Sequence, residues 1–164
     1  MKQIWAPWRM SYIQGTCEKP ERCVFCVGNE RAGDEERFIL FRGEKAFIIM
    51  NRFPYTNGHL MIAPFRHTAK MEDLSDDEAL EMHHLLVMSK GVLQDCFAPH
   101  GFNLGMNLGQ VAGAGIADHL HLHIVPRWSG DTNFMPVFGE VRVIPQHLEE
   151  TYGILLQSFA GRHP

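Results

Sequence analysis

The sequence predicts an α+β fold in which an antiparallel sheet carries one long helix and a C-terminal helix. Three observations lead there. Short apolar segments flank turn residues between Phe38 and Ala63. A capped run with helical spacing begins at Ser75. An alternating stretch, 119–125 (HLHLHIV), follows a glycine-rich loop.

The elements follow in chain order. Residues 1–22 lack periodicity, but Trp5, Trp8, Met10, Tyr12 and Ile13 are too apolar for a free tail, so the segment reads as a packed arm. Residues 23–36 hold Cys23 and Cys26 and then a polar loop. Phe38–Arg42 and Ala46–Met50 are strands around Gly43-Glu44, a pair that favours a tight hairpin. Pro54–Gly58 is a connection, and His59–Ala63 a third strand closed by Pro64. Ser75 is an N-cap with Glu78 three residues on, a capping box that opens a helix reaching about Gln94 or Cys96. Residues 101–107 alternate as a strand, 108–118 form the loop, and 119–125 make a strand ended by Pro126. Val141–Ile144 is the only pattern in 127–145, and Glu149–Phe159 is a helix weakened by Gly153. No repeat or long linker divides the chain, so 1–164 is expected to be one domain, with arm 1–22 and a C-terminal extension 127–164.

Composition narrows the function. The chain is 45% hydrophobic and 21% charged, which suits a folded core and not a disordered chain. Its net charge of −4 gives no broad grip on a nucleic-acid backbone. It leaves room for a small anionic ligand in a locally favourable pocket. No apolar run reaches membrane-spanning length, and the Met1 region does not read as a signal peptide, so a cytoplasmic location is expected.

The strongest chemical feature is the histidine stretch. On a strand, His119, His121 and His123 share one face while Leu120, Leu122 and Ile124 enter the core. Three readings are open: a solvated edge, a single metal site, or a nucleophile with supporting histidines. The third is preferred. A neutral imidazole attacks phosphorus well and leaves it readily, which splits a phosphoryl or nucleotidyl transfer into two steps. Gly109, Gly113 and Gly115 would let backbone N–H groups approach phosphate oxygens. The loop is neither a P-loop nor a complete dinucleotide fingerprint.

Cys23 and Cys26 have the Cys-x2-Cys spacing of a zinc site. A redox pair and two buried thiols are the alternatives.

HLHLHIV fits the His-x-His-x-His-x-x pattern of the histidine triad (HIT) superfamily, and the resemblance extends to 46–67, 101–128, 129–145 and the arm WAPWRMSYI. These segments resemble the bacterial branch that includes diadenosine polyphosphate hydrolases and phosphorylases. The resemblance implies a homodimeric α+β protein. It implies attack by His121 on a nucleotide α-phosphorus, with His123 and the upstream His59 binding phosphate oxygens. It implies nucleotide contacts at Asn51, Asn107, Gly113 and Gly115. Asn51 stands where many members have an acid for the ribose. It also implies a structural zinc, one per subunit, held by Cys23, Cys26, His67 and His119. One departure is chemical: the phosphorylase-like pattern places Gly-Ser before a hydrophobic residue in the loop, and this chain has Ala114-Gly115-Ile116.

Phe38 and Phe47, with Ile49, are candidates for a base platform, with core packing as the plain alternative. Arg127 meets either a distal phosphate or Asp131. His83, His84, His100, His147 and His163 have no companion pattern, and Cys17 and Cys96 read as inert thiols.

The first functional expectation is therefore a nucleotide hydrolase or nucleotidyl transferase acting on dinucleoside polyphosphates. Diadenosine tetraphosphate phosphorylase comes second because the loop serine is missing. A non-catalytic nucleotide sensor comes third.

Overall fold

A computed structural model of the chain describes residues 23–28, 30–131 and 146–162. The arm 1–22, Val141–Ile144, Cys17 and His163 lie outside the described residues. The elements run α1 (Asp34–Arg37), β1 (Ile39–Arg42), β2 (Ala46–Met50), β3 (Leu60–Pro64), α2 (Asp76–Phe97), β4 (Gly101–Met106), β5 (Leu122–Arg127) and α3 (Leu148–Phe159). The five strands form one sheet in the order β1-β2-β3-β5-β4, and every neighbouring pair is antiparallel. The α+β expectation holds.

Strand alternation divides the sheet into two faces. Leu40, Ala46, Ile48, Met50, Leu60, Ile62 and Ile124 face one core, covered by Leu85, Val92 and Leu93 of α2 and by Tyr152, Leu155 and Phe159 of α3. Ile39, Phe47, Ile49, Met61 and Ala63 face the other side, packed against Phe25 and Val27 from the N-terminal loop. The histidines belong to this second side.

Local chemistry explains the boundaries. The Ser75–Glu78 capping box forms: Glu78 N–H donates to Ser75 Oγ at 3.2 Å, and Ser75 N–H donates to Glu78 Oε2 at 2.8 Å. At the far end α2 runs one turn-fraction past the expected stop, to Phe97, before Ala98 takes φ 43. The β1–β2 turn is held from outside. Glu81 of α2 accepts from the backbone N–H groups of Glu44, Lys45 and Ala46.

Several expected boundaries move, among them that of β3, which runs Leu60–Pro64 rather than His59–Ala63 and takes Pro64 in, paired with Ala46 at the end of the strand. Phe38 is not in β1: it closes α1 with φ 61, and the strand starts one residue later. The polar loop 23–36 contains the start of α1, fixed to β1 because Arg42 donates to both Asp34 oxygens and to Gly28 O. The histidine strand begins at Leu122 rather than His119, and it passes through Pro126 instead of ending there. Proline is tolerated because β3 pairs with β5 only over Leu122–Ile124, so at Pro126 no β3 residue needs a ladder N–H. The Pro126 carbonyl accepts from Thr56 Oγ1 at 2.8 Å rather than from a strand neighbour.

Candidate active site

Each triad histidine is positioned by a backbone carbonyl or by another imidazole, and these bonds fix which nitrogen carries the proton. His121 Nδ1 lies 2.8 Å from the carbonyl oxygen of His119. A carbonyl only accepts, so Nδ1 bears the hydrogen and Nε2 keeps its lone pair. His119 Nε2 lies 2.9 Å from the Pro64 carbonyl, so the His119 lone pair is on Nδ1, the nitrogen facing the cysteines.

A second chain of bonds starts in the β2–β3 connection. Tyr55 N–H donates to His59 Nδ1 at 3.1 Å. His59 Nε2 must then carry the hydrogen, which it gives to His123 Nδ1 at 2.9 Å. That leaves the hydrogen of His123 on Nε2, a buried atom with no partner among the described residues. A buried N–H left unpaired costs about 1–3 kcal/mol, so the site is poised for an acceptor. The β4 residue paired with His123 is Gly105, where an added Cβ would meet nothing within 4 Å. The sheet surface beside His123 is therefore open.

Burial keeps the rings neutral. It pushes the pKa of His121 below the ordinary histidine value, against the raising effect of the bond to His119. It pushes His123 down to about 4, with neighbouring His121 adding to the effect. His119 is lowered by burial first, and then by His67 and His121 beside it. The arrangement offers a neutral imidazole lone pair next to an aimed N–H donor, which suits attack on an electrophile whose oxygens gain negative charge.

Cys23, Cys26, His67 and His119 form a separate cluster, with their ligand atoms all within 4.8 Å of one another. Cys23 Sγ is 3.5 Å and Cys26 Sγ 3.9 Å from His119 Nδ1, and Cys26 Sγ is 3.2 Å from His67 Nδ1. Sulfur and nitrogen donors on one tetrahedral ion of zinc's bond lengths sit about 3.5 Å apart, so the spacing fits a metal.

Comparison with known proteins gives this geometry a family. Residues 32–130 match the HIT domain, more than half of the chain.

The chain belongs to the HIT family.

It is 36% identical over 98% of its length to "AP-4-A phosphorylase" of Mycobacterium tuberculosis, covering 85% of that protein. A Zn-bound histidine triad family protein from Mycobacterium smegmatis superposes with a TM-score of 0.66 at 27% identity, over 84% of this chain and 93% of that one. A HIT family member from Bacillus subtilis superposes at 0.59 with 26% identity, over 88% and 99% of the two chains. With the triad intact, this HIT chain is an enzyme of the nucleotidyl-histidine type.

The HIT fold gathers some of the residues expected from sequence and separates others. His59, His121 and His123 converge, with ring centroids 5.1 Å apart for His59–His123 and 4.8 Å for His121–His123. Asn51 lies beside them: its Nδ2 is 3.3 Å from His59 Nδ1, and its Oδ1 accepts from Phe53 N–H. Asn107 donates to the carbonyl of Gly113, which takes φ 89, a conformation glycine adopts without strain. Gly115 is exposed in the same loop. Phe47 lies on the histidine side, fully buried and stacked on Phe65 at 5.2 Å. Phe38 is not brought to the histidines: it packs in the opposite core, edge-on to Tyr152 at 5.4 Å. Arg127 pairs with Asp131. His83, His84 and His100 are exposed.

Two residues escaped the sequence reading. Tyr55 supplies the backbone donor that orders His59, and its ring lies 4.7 Å from that imidazole. Phe25 covers the face of His121 at 4.6 Å. The available signal for Phe25 was its place between the two cysteines.

Proposed function

We propose that the chain is a dinucleoside polyphosphate phosphorylase acting on diadenosine tetraphosphate. The observation that carries the reading is the His121 lone pair, fixed on Nε2 by the bond from Nδ1 and set beside the donor of His123. The AP-4-A phosphorylase of M. tuberculosis, matched along 98% of the chain, moves phosphorolysis ahead of hydrolysis and general nucleotidyl transfer. The missing loop serine had ranked it second.

In the proposed reaction His121 Nε2 attacks an α-phosphorus. An N–P bond forms, the bridging P–O bond breaks, and ATP leaves. Inorganic phosphate then attacks the same phosphorus, the N–P bond breaks, and ADP is released. Through both steps His123 Nε2–H binds a non-bridging oxygen where charge grows, and His59 holds His123 in the donor tautomer. The Gly113 N–H is given to the Gln110 carbonyl, so Gly113 shapes the loop with its left-handed turn and the Gly115 backbone amide takes a further phosphate oxygen. Asn51 and Asn107 are placed at the nucleotide, since each amide nitrogen has a second hydrogen beyond the bond it makes within the protein. Phe47 backs the base side of the site.

In the same reading Cys23, Cys26, His67 and His119 hold one structural zinc, a closed set of four with no position for substrate. The family relative from M. smegmatis described as Zn-bound supports it. A homodimer is proposed as well. β4 is an edge strand, and Leu104, Leu108 and Val111 on and after it are exposed. The cytoplasm, where thiols stay reduced, is the proposed location.

The deciding experiment incubates diadenosine tetraphosphate with the protein, with and without inorganic phosphate, and resolves products by mass. ADP and ATP formed only when phosphate is present establish phosphorolysis. AMP and ATP formed without phosphate would return the chain to the hydrolases, and no turnover of any nucleotide would remove the reading.

A further inference from the structure

The Cys23–Cys26 loop carries a group that the proposed reaction does not use. Phe25 sits between the two cysteines and is 1% exposed. Its ring lies 4.6 Å from that of His121, tilted by 31°, and 5.4 Å from that of His119. The loop is closed by Cys26 N–H donating to the Cys23 carbonyl, so the position of Phe25 follows the position of the thiols.

His121 is thus held on two sides, and both holds lead back to the metal cluster. Its edge is held by the Nδ1–H bond to the carbonyl of His119, one cluster member. Its face is covered by Phe25, which is flanked by two others. An in-plane hydrogen bond alone leaves an imidazole free to swing about that bond. A ring against its face removes the swing and keeps water off that side. Reactive geometry is sensitive to such freedom, because a misplacement of about 1 Å can cost roughly 100-fold in rate.

We propose that Phe25 is a positioning residue for His121, and that the metal cluster orients the nucleophile through Phe25 on its face and His119 on its edge. The role rests on the reading of His121 as the nucleophile. It predicts that an ion with no open coordination position still governs turnover, through the ring it holds in place rather than through contact with substrate.

The test uses the metal-loaded full chain. Phe25→Leu keeps most of the apolar volume but loses the flat ring. Val27→Ala, in the same loop and the same apolar cluster, controls for general loosening. Two readouts are taken. The first is the imidazole 15N spectrum without nucleotide, with His121 assigned by its loss in His121→Gln. Wild type gives one protonated nitrogen and one unprotonated nitrogen at His121. Phe25→Leu gives averaged signals, and Val27→Ala keeps the wild-type pattern. The second is steady-state turnover. Phe25→Leu lowers kcat by roughly 10- to 100-fold with KM nearly unchanged and metal content intact.

Sharp wild-type signals in Phe25→Leu overturn the proposal, as does an effect confined to KM, which would make Phe25 a nucleotide contact. Metal loss from Phe25→Leu also overturns it, because the ring would then serve metal retention. Should Phe25→Leu not fold, metal-stripped wild type is read instead: averaged His121 signals support the proposal, and unchanged ones end it. If wild type turns over no nucleotide, the enzymatic reading fails while the 15N spectrum still decides the role of Phe25.

Discussion

His59 Nε2 lies 2.9 Å from His123 Nδ1, although the two residues are 64 positions apart in the chain. The bond sets the orientation of an N–H that no group among the described residues accepts. His59→Ala removes the donor that fixes the His123 tautomer. Loss of one aligned oxyanion donor usually costs 10²–10³ in kcat, and because His123 itself remains, a fall of roughly 10- to 100-fold is expected. His59→Gln keeps an N–H able to reach Nδ1 and should recover part of it. Steady-state kinetics on both variants check this. Equal losses would mean that His59 acts in some other way.

His121→Ala should reduce turnover to background while nucleotide binding persists, because the residue supplies the attacking atom rather than a binding contact. Calorimetric titration with a non-cleavable dinucleotide measures binding. Denatured-protein mass spectrometry of wild type, quenched without phosphate, should show a nucleotidyl adduct on His121. An adduct on another side chain would refute the assignment.

The pH dependence of stability follows from His123. Its folded pKa, about 4, is below the ordinary 6.5. Between those values the unfolded chain binds a proton there that the folded chain does not. Stability attributable to this group is therefore whole above about pH 6.5 and is lost as pH falls toward 4. The increment is of order 3 kcal/mol. Urea unfolding at about pH 7 and about pH 4.5 should show a steeper loss for wild type than for His123→Gln. Parallel losses would mean that the group does not contribute.

Metal analysis of protein purified without chelator should give about one zinc per chain. Stripping it should lower the melting temperature, and Cys26→Ser should lower both zinc content and melting temperature. A metal-free chain of undiminished stability would contradict a structural site.

Gly58→Ala should destabilise the protein by about 2–4 kcal/mol, from left-handed backbone strain and overpacking together. Gly58 has φ +71, and an added Cβ would lie 3.0 Å from Leu93 Cδ2 and 3.3 Å from the Phe97 ring. His59 follows directly, so kcat should fall with stability. Guanidinium unfolding and kinetics on the same preparation test both.

Much of the site was legible in the residues. The alternation of 119–125 placed three histidines opposite Leu122 and Ile124, and the structure keeps that division even though the strand proper starts at Leu122. The capping box at Ser75 was readable because its two partners are three residues apart. Phe38 departs from the strand reading for a local reason: it takes φ 61, which no residue pattern around it signals, and packs in the core against Tyr152 of α3.

The sequence by itself determined the order of the five strands and the two long helices, the histidine set and the pair of thiols, because spacing of 2, 3 or 3.6 residues acts over one strand or one turn. Only the tertiary structure decided which imidazole nitrogens carry protons. Those are set by Pro64, His119 and Tyr55 backbone groups and by His59, whose positions depend on how the strands pair. The same holds for Phe25 on His121, a contact across 96 residues of chain made only when the N-terminal loop folds back onto the sheet. Hydrogen-bond direction and ring contact are properties of atoms in space, and short-range sequence pattern carries no record of them.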